Sequence, residues 1–494
     1  MLLLSELIAV ANEKLRDAHT VLAVNEPLSH DVTIEHLTAD SREVKKRSLF
    51  IAQANGAKFI GDAAAHGAVA VILPYALAID VPESMVRVRT DDIRAATTAL
   101  AATFYPRQPK YCFAVTGTDG KTSTADFIRQ LAHLMGERSA SLGTLGLCSP
   151  DEALNASYPA VNTSPEPVLL HRTLMRLAEL KVAYVAIEAS SHGLDQKRVD
   201  GVEFCAGAFT NLTRDHLDYH KDINAYFTAK ERLFTTVLPA GATAVLNRDD
   251  TYYDMLAMVA KDRGLTITSF GSHAQADYRI VSVTPHAQGI DAVVSLRGTQ
   301  HTLQLPLYGA FQLSNMLTAI GLLNAAGMAE EKLVKRLPQL KGVPGRLEKI
   351  ADANGAPIFI DYAHTPAALE NILKTLRPHT EKKLHVVFGC GGDRDAGKRP
   401  EMGAAAAKFA DSVIVTDDNP RSEDPAKIRA AIMAAAPGAS EIPDRDAAIR
   451  QAIGQLQAGD VLVIAGKGHE TTQTIGNQVL PFNDADHIRK AVAA

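Results

Sequence analysis

The chain has 494 residues, 46% hydrophobic and 22% charged, the proportions of a folded globular protein rather than a disordered or fibrous one. Lysine and arginine total 51 against 56 acidic residues, a net charge of −5. That balance disfavours a protein built mainly to grip nucleic acid or an anionic membrane, and leaves room for a local basic pocket.

The length predicts about three domains at roughly 150 residues each. The opening MLLLSELIAVANEKL carries acids within its apolar stretch and no basic leader. It reads as an amphipathic helix of a cytoplasmic protein, not a signal peptide. No run approaches the ~18–20 apolar residues of a membrane-spanning helix. Cys112, Cys148, Cys205 and Cys390 are widely spaced and form neither a disulfide nor a zinc pattern.

Residues 1–108 form a first predicted segment with short apolar runs, SLFIAQ (48–53) and AVAVILP (68–74). FYPRQPK (104–110), with its two prolines, breaks the pattern and reads as a linker. From 111 the order becomes strand, turn, helix. YCFAVTG (111–117) is an apolar strand, and TSTADFIRQLAHLMG (122–136) has helical spacing with a glycine stop. VAYVAIE (182–188), GAFTNL (207–212) and ATAVLN (242–247) read as further buried strands. Their alternation with helices predicts an α/β fold with a parallel, doubly wound sheet. Residues 270–308 predict a β-rich annex, and QLSNMLTAIGLLNAAG (312–327) a helix. GVPGR (342–346) marks a second boundary. PIFIDYA (357–363), LHVVFGC (384–390), SVIVTD (412–417) and DVLVIAG (460–466) then predict a second α/β unit. The three predicted segments are 1–108, 109–341 and 342–494.

The sharpest local signal is Thr116-Gly117-Thr118-Asp119-Gly120-Lys121-Thr122-Ser123 between a strand and a helix. Glycines let backbone N–H groups turn toward phosphate oxygens, and the helix N-terminus adds partial positive charge. Lys121 then reaches outer phosphates and Thr122 can ligate Mg²⁺. The motif is shorter than the usual P-loop, since position 115 is Val. Glu188 ends a predicted strand, where such folds keep ligands. Thr210 to His220 follows another strand end and is dense in ionisable groups. Lys230, taken alone, reads as an exposed helix lysine. In the last segment, Asp361–Pro366, Gly389–Asp395, Asp417–Arg421 and Gly466–Glu470 follow four strands, which predicts one rim of a sheet used for binding.

TGTDGKTS, EASSHGLDQKR, TNLTRDHLDYH, FTAKERLF, DYAHTP, FGCGGDRDAGKRP, DDNPR and AGKGHE occur in one order along the chain. Together they resemble the Mur ligases, ATP-dependent amino-acid ligases of peptidoglycan stem-peptide synthesis. The resemblance implies a UDP-substrate domain, a central P-loop-type ATP domain and a Rossmann-like C-terminal domain. It implies addition of meso-2,6-diaminopimelate to UDP-N-acetylmuramoyl-L-alanyl-D-glutamate through an acyl phosphate. A lysine-adding relative, a folylpolyglutamate synthase-like ligase and, in a different class, a nucleotide-binding regulatory or transport NTPase are the alternatives.

The cofactors so implied are ATP and Mg²⁺. Gly117, Thr118, Asp119, Gly120, Lys121, Thr122 and Ser123 match the phosphate loop; Asn315, Arg346 and Asp361 match other ATP contacts. Glu188 and His216 match Mg²⁺ ligands, and Lys230 a lysine carbamylated in the family. Ser41 matches the uridine end, while Asn162, Thr163, Ser164, Ser190, Gln196 and Arg198 match contacts to the muramoyl dipeptide. Arg394, Asp418, Asn419, Pro420, Arg421, Gly466 and Glu470 match the amino-acid pocket. Lysine-adding relatives typically lack the arginine at 421. Asp119 departs from the asparagine common among relatives. A cytoplasmic monomer acting on small molecules, without nucleic acid or membrane, is expected.

Overall fold

The computed structural model describes residues 1–16, 20–24, 31–156, 158 and 162–493. The chain divides into two compact units, one of residues 1–270 with 318–330 and one of 271–317 with 331–494.

The first unit opens with α1 (Leu4–Leu15), then β1 (His36–Thr38), β2 (Ser48–Ile51), β3 (Ala68–Pro74) and β4 (Val86–Thr90). β1 to β4 pair in parallel, each with the next, and Ala23–Val24 adds an antiparallel edge to β4. α2 (Ile93–Phe104) starts at Asp92, whose carboxylate accepts the N–H groups of Arg94 and Ala95 as an N-cap. Asp92 also pairs with Lys197 at 2.5 Å, and the Thr98 hydroxyl donates to Lys197 O at 2.8 Å. These bonds dock the N-terminal segment onto the sheet that follows, so residues 1–270 cluster as one unit.

That sheet contains β5 (Tyr111–Thr116), β6 (Ser139–Gly143), β7 (Tyr184–Glu188), β8 (Phe204–Phe209), β9 (Thr243–Asn247) and β10 (Thr266–Gly271). Its spatial order is β6-β7-β5-β8-β9-β10, with every pairing parallel. β7 reads YVAIE and is buried throughout, as a parallel strand covered on both faces requires. The chain leaves β5, builds β6 and β7 on one side, and returns to build β8 on the other. β5 is therefore the switch point, where a crevice opens at the carboxyl ends of the strands. Glu188 pairs with Val115 and Phe209 with Thr116, so three strand ends finish level. α3 (Lys121–Leu134) follows β5, α4 (Pro167–Glu179) precedes β7, and α5 (Ile223–Arg232) follows β8.

In the second unit, β11 (Tyr278–His286), β12 (Gly289–Leu296) and β13 (Thr299–Leu305) form an antiparallel meander, matching the expected β-rich annex. α6 (Phe311–Ala325) follows, its residues from Thr318 onward belonging to the first unit. A second sheet contains β14 (Glu348–Ala353), β15 (Ala356–Asp361), β16 (Leu384–Phe388), β17 (Ser412–Val415) and β18 (Val461–Ala465). The order is β14-β15-β18-β16-β17, parallel except for β14. Its carboxyl ends carry the four loops that the sequence groups on one rim. A hairpin of β19 (Thr472–Ile475) and β20 (Gln478–Pro481) follows β18.

His171 on α4 is 0% exposed; its Nε2 lies 3.1 Å from Asp200 O, and its Nδ1 has no partner. Burial pushes its pKa down to about 4 from 6.5, so the fold holds the neutral ring. The unfolded chain takes up the proton first. Stability from this group is thus complete above pH 6.5 and is lost as pH falls toward 4. By pH 5 the loss is about 2 kcal/mol. His171→Gln should lose correspondingly less between pH 7 and 5 in urea unfolding; an unchanged pH slope would refute the assignment.

Candidate active site

Each unit carries one cluster of the residues singled out in the sequence. In the first, the loop from Gly117 to Gly120 joins β5 to α3, with Gly120 in left-handed backbone as the N-cap. A neighbouring loop holds it from the side. Thr118 N–H donates to Asn211 O at 2.9 Å, Asp119 N–H to Asn211 Oδ1 at 2.9 Å, and the Thr210 hydroxyl to Asp119 O at 2.6 Å. Thr118 Oγ1 accepts from Thr213 N–H at 3.0 Å and lies 3.2 Å from the Tyr226 hydroxyl. A Cβ at Gly117, where φ is 147°, would collide with Thr210 Oγ1, so only glycine lets the loops close this tightly.

Two lysines converge on Gly117. Lys121 Nζ donates to Gly117 O at 2.9 Å and Thr118 O at 2.7 Å; Lys230 Nζ donates to the same Gly117 O at 2.7 Å. Lys230 is 1% exposed, with its Nζ 4.5 Å from the Tyr226 ring centroid. Burial, and then the Lys121 charge, push its pKa well below the usual lysine value. The bland reading of Lys230 as an exposed helix lysine does not hold. Residue spacing placed it on a helix, but the packing of α5 turns it inward.

Glu188 is 2% exposed at the end of β7. It accepts from the Thr122 hydroxyl at 3.0 Å, Thr144 N–H at 2.8 Å and the Thr144 hydroxyl at 3.1 Å. Gly143 lies against the carboxylate, and a Cβ there would come within 2.0 Å of Glu188 Oε1. A carboxylate joined to a helix-start hydroxyl is a hard-oxygen donor set that fits Mg²⁺, which usually takes one or two carboxylates and completes its shell with phosphates and water. Among the described residues no three His, Cys, Asp or Glu side chains form a metal cluster, so protein ligands alone would not complete it. His216 starts a short helix at φ 52°, its ring 4.9 Å from that of His192. Burial, and then His216 and His220, push the His192 pKa down.

The residues matched to the dipeptide do assemble. The Ser164 hydroxyl donates to Glu188 O at 2.8 Å and accepts Ser190 N–H at 2.9 Å. Arg198 reaches Ser164 O at 3.0 Å and Gln196 Oε1 at 2.7 Å. Thr163 Oγ1 lies 3.3 Å from Thr144 Oγ1. Asn162 is exposed at a mainly apolar cavity of about 110 Å³ that Leu142 and Leu147 also line. Ser41 is apart from this network, in the turn Ser41–Glu43 after β1. Ser123 is buried in the first turn of α3.

In the second unit, Asn419 Nδ2 donates to Glu470 Oε2 at 2.9 Å, and Gln473 Nε2 donates to Asp418 O at 2.7 Å. Arg421 Nη1 donates to Gly392 O at 2.8 Å. Pro420 is packed against Gly392, Gly466 against Asp418, and Gly391 lies between Arg394 and Arg421. Arg346 stacks on the Tyr362 ring at 5.1 Å. Asp361 uses both oxygens as a clamp, accepting Leu347 N–H at 2.7 Å and Ala363 N–H at 2.8 Å. Burial raises its pKa despite Arg346. Asn315 is buried on α6 beside Gln312. Thr144 and Tyr226 are not singled out by the sequence, and Asn211 and Lys467 enter it only as members of the Thr210–His220 and Gly466–Glu470 loops; each acts across a long stretch of chain or from within a motif.

A glycine-rich loop at the switch point of a parallel sheet, backed by a buried carboxylate, defines a nucleotide-dependent enzyme of the P-loop type. A family model described as Mur ligase middle domain matches residues 115–323, and one described as Mur ligase, glutamate ligase domain, matches 345–468. The chain is 48% identical to a UDP-N-acetylmuramoyl-L-alanyl-D-glutamate–2,6-diaminopimelate ligase of Caulobacter vibrioides, over 95% of this chain and 97% of that one. A solved structure of an enzyme of the same name superposes with a TM-score of 0.69 at 34% identity, covering 93% of this chain and 95% of the other. Folylpolyglutamate synthase of Mycobacterium tuberculosis, complexed with ADP, shares the fold with a TM-score of 0.58 at 20% identity, over 74% of this chain and 90% of that one. The chain belongs to the Mur ligase family.

Gly143→Ala drives a methyl into the Glu188 carboxylate. It should cost about 1–3 kcal/mol of stability and lower ATP-dependent turnover roughly 100-fold. Wild-type turnover in a folded variant would show that the placement of Glu188 is immaterial.

Proposed function

We propose that the protein joins meso-2,6-diaminopimelate to UDP-N-acetylmuramoyl-L-alanyl-D-glutamate at the expense of ATP, a step of peptidoglycan precursor synthesis. The observation that carries the choice of amino acid is the Asn419–Glu470 pair, with Arg421 two residues beyond Asn419 and its guanidinium on the neighbouring Gly392 loop. Diaminopimelate has a second amino-carboxylate head. Arg421 suits its distal carboxylate and Glu470 its distal ammonium. Lysine lacks that carboxylate and would leave the guanidinium unmatched, and sites built on polar pairing discriminate by up to about 10⁴. The relatives that bear the diaminopimelate name support the same choice.

The chemistry follows from a poor leaving group. An oxygen of the D-glutamate γ-carboxylate attacks the γ-phosphorus of ATP, and ADP departs. The neutral amine of diaminopimelate attacks the acyl carbon. The tetrahedral adduct expels phosphate, the nitrogen loses its proton, and an amide remains. In this reading, Gly117 to Ser123 cradle the phosphates and Lys121 offsets charge as carboxylate and γ-phosphate meet. Thr122, Glu188, His216 and carbamylated Lys230 would hold magnesium, which when bound screens the anionic reactants. Asn315, Arg346 and Asp361 would serve the nucleotide. Ser41 would serve the uridine end, and Asn162, Thr163, Ser164, Ser190, Gln196 and Arg198 the muramoyl dipeptide. Arg394, Asp418 to Arg421, Gly466 and Glu470 would serve the amino acid. We retain the segments 1–108, 109–341 and 342–494 as the functional domains of a cytoplasmic monomer.

Lys230 supports this reading chemically. Burial, and then the Lys121 charge, disfavour the ammonium of Lys230 and so favour the amine form that CO₂ requires. Its nitrogen adds to the carbon of CO₂ and releases one proton, leaving a carbamate anion. Lys230→Ala should abolish turnover, with partial rescue by acetate, whose carboxylate can enter the vacated space. Full activity without acetate would exclude the carbamate.

Phosphate release measured with the UDP-dipeptide and ATP tests the substrate choice. Turnover should require diaminopimelate, with L-lysine at least 1,000-fold poorer in kcat/KM. Equal use of lysine would overturn the reading and favour a lysine-adding ligase.

A further inference from the structure

Lys467 lies inside the Gly466–Glu470 loop and is 0% exposed. Its ammonium donates to Thr472 O at 2.7 Å, Glu470 Oε2 at 3.0 Å and Asn419 Oδ1 at 3.3 Å. Three donors meet three acceptors, so this buried charge is fully satisfied. Thr474 N–H also donates to Asn419 Oδ1, at 2.9 Å. An ammonium and a backbone N–H can only donate, so the Asn419 atom facing both is the oxygen. The amide nitrogen must then face Glu470, where it donates to Oε2 at 2.9 Å. One oxygen of Glu470 is thereby held by two donors, while Oε1 takes part in none of these bonds.

We propose that Lys467 is a positioning residue that sets amino-acid selectivity. The inference rests on the reading of the Asn419–Glu470 cluster as the diaminopimelate pocket. Lys467 orients Asn419, pins Oε2 and leaves Oε1 for the ligand's ammonium. It also balances the Glu470 charge. An uncompensated carboxylate beside the pocket would attract any cationic side chain, lysine included. A compensated one gives a lone ammonium little, and favours a head that brings its own carboxylate to Arg421. Selectivity then comes from removing an attraction for the wrong ligand as much as from adding one for the right ligand.

Steady-state kinetics of Lys467→Met test this, with thermal melting as the check on folding. KM for diaminopimelate should rise at least 10-fold while KM for ATP and for the UDP-dipeptide stays within twofold. The diaminopimelate-to-lysine ratio of kcat/KM should fall at least 10-fold, because Glu470 is left unbalanced. Adding Glu470→Gln to Lys467→Met should abolish the gain for lysine. Lys467→Gln, which keeps hydrogen-bonding capacity without the charge, should move the ratio in the same direction and serves should the methionine variant unfold. A loss of kcat with the ratio unchanged, or an equal loss for both amino acids, would overturn the positioning role. A wild-type enzyme that does not use diaminopimelate would instead overturn the reading beneath it.

Discussion

Charge buried at the ends of parallel strands is the constraint around which both clusters are organised. An ionised group removed from water must find hydrogen-bonding partners or change its state. Glu188 has three donors from Thr122 and Thr144. Lys467 has three acceptors. Arg445, also buried, holds Asp484 through two nitrogens and Ala465 O through one of them. Lys230 contrasts with these. Its Nζ shares one carbonyl with Lys121 and also faces an aromatic ring. Conversion of Lys230 to an anion would relieve its repulsion with Lys121. That conversion would turn the same position from one that repels metal ions into one that attracts them.

The sheet order makes these charges neighbours. Because β5 lies between β7 and β8, residues that are 72 apart at Thr116 and Glu188, or 95 apart at Thr116 and Asn211, meet at one edge. Each strand end contributes one kind of group: backbone N–H from the glycine loop, a carboxylate from β7, and a side-chain amide from the loop after β8. No single strand could present all three, since successive side chains alternate between faces. The second sheet repeats the device, with β18 inserted between β15 and β16 so that the Lys467 loop lies among the others.

Much of this was legible in the sequence. Apolar runs located the parallel strands, and motifs at their ends located the glycine loop at 117–120, Glu188 and the four C-terminal loops. What stayed hidden depends on distant partners. Thr144 is an ordinary threonine until Gly143 brings it to Glu188. Tyr226 reads as a helix-face aromatic until Thr118 reaches its hydroxyl. Burial of Lys230 cannot be inferred from AYFTAKERLF, because a helix pattern does not say which flank the next layer covers. Asp361 carries a recognisable motif, yet both its oxygens clamp the chain around Leu347 and Ala363. The compact unit of residues 1–270 likewise reflects the Asp92–Lys197 and Thr98–Lys197 bonds, which no composition shift near residue 108 announces.

Arg421 shows how backbone geometry, more than side-chain identity, aims a side chain. It occupies left-handed backbone at φ 51°, a conformation that costs a non-glycine residue roughly 1 kcal/mol or more. The hairpin of β19 and β20 over-determines it: Arg421 N–H donates to Thr474 O at 3.0 Å, and Gly476 N–H donates to Arg421 O at 2.7 Å. With the backbone held, the guanidinium lies across the loop after β16 and donates to Gly392 O. Thr474 N–H, from the same hairpin strand, fixes the Asn419 oxygen. One short hairpin therefore orients the arginine on one side and the amide on the other. In the proposed reading, that places a cation and a half-committed carboxylate on loops of one rim, where a zwitterionic head would use both its charges and a lone ammonium only one.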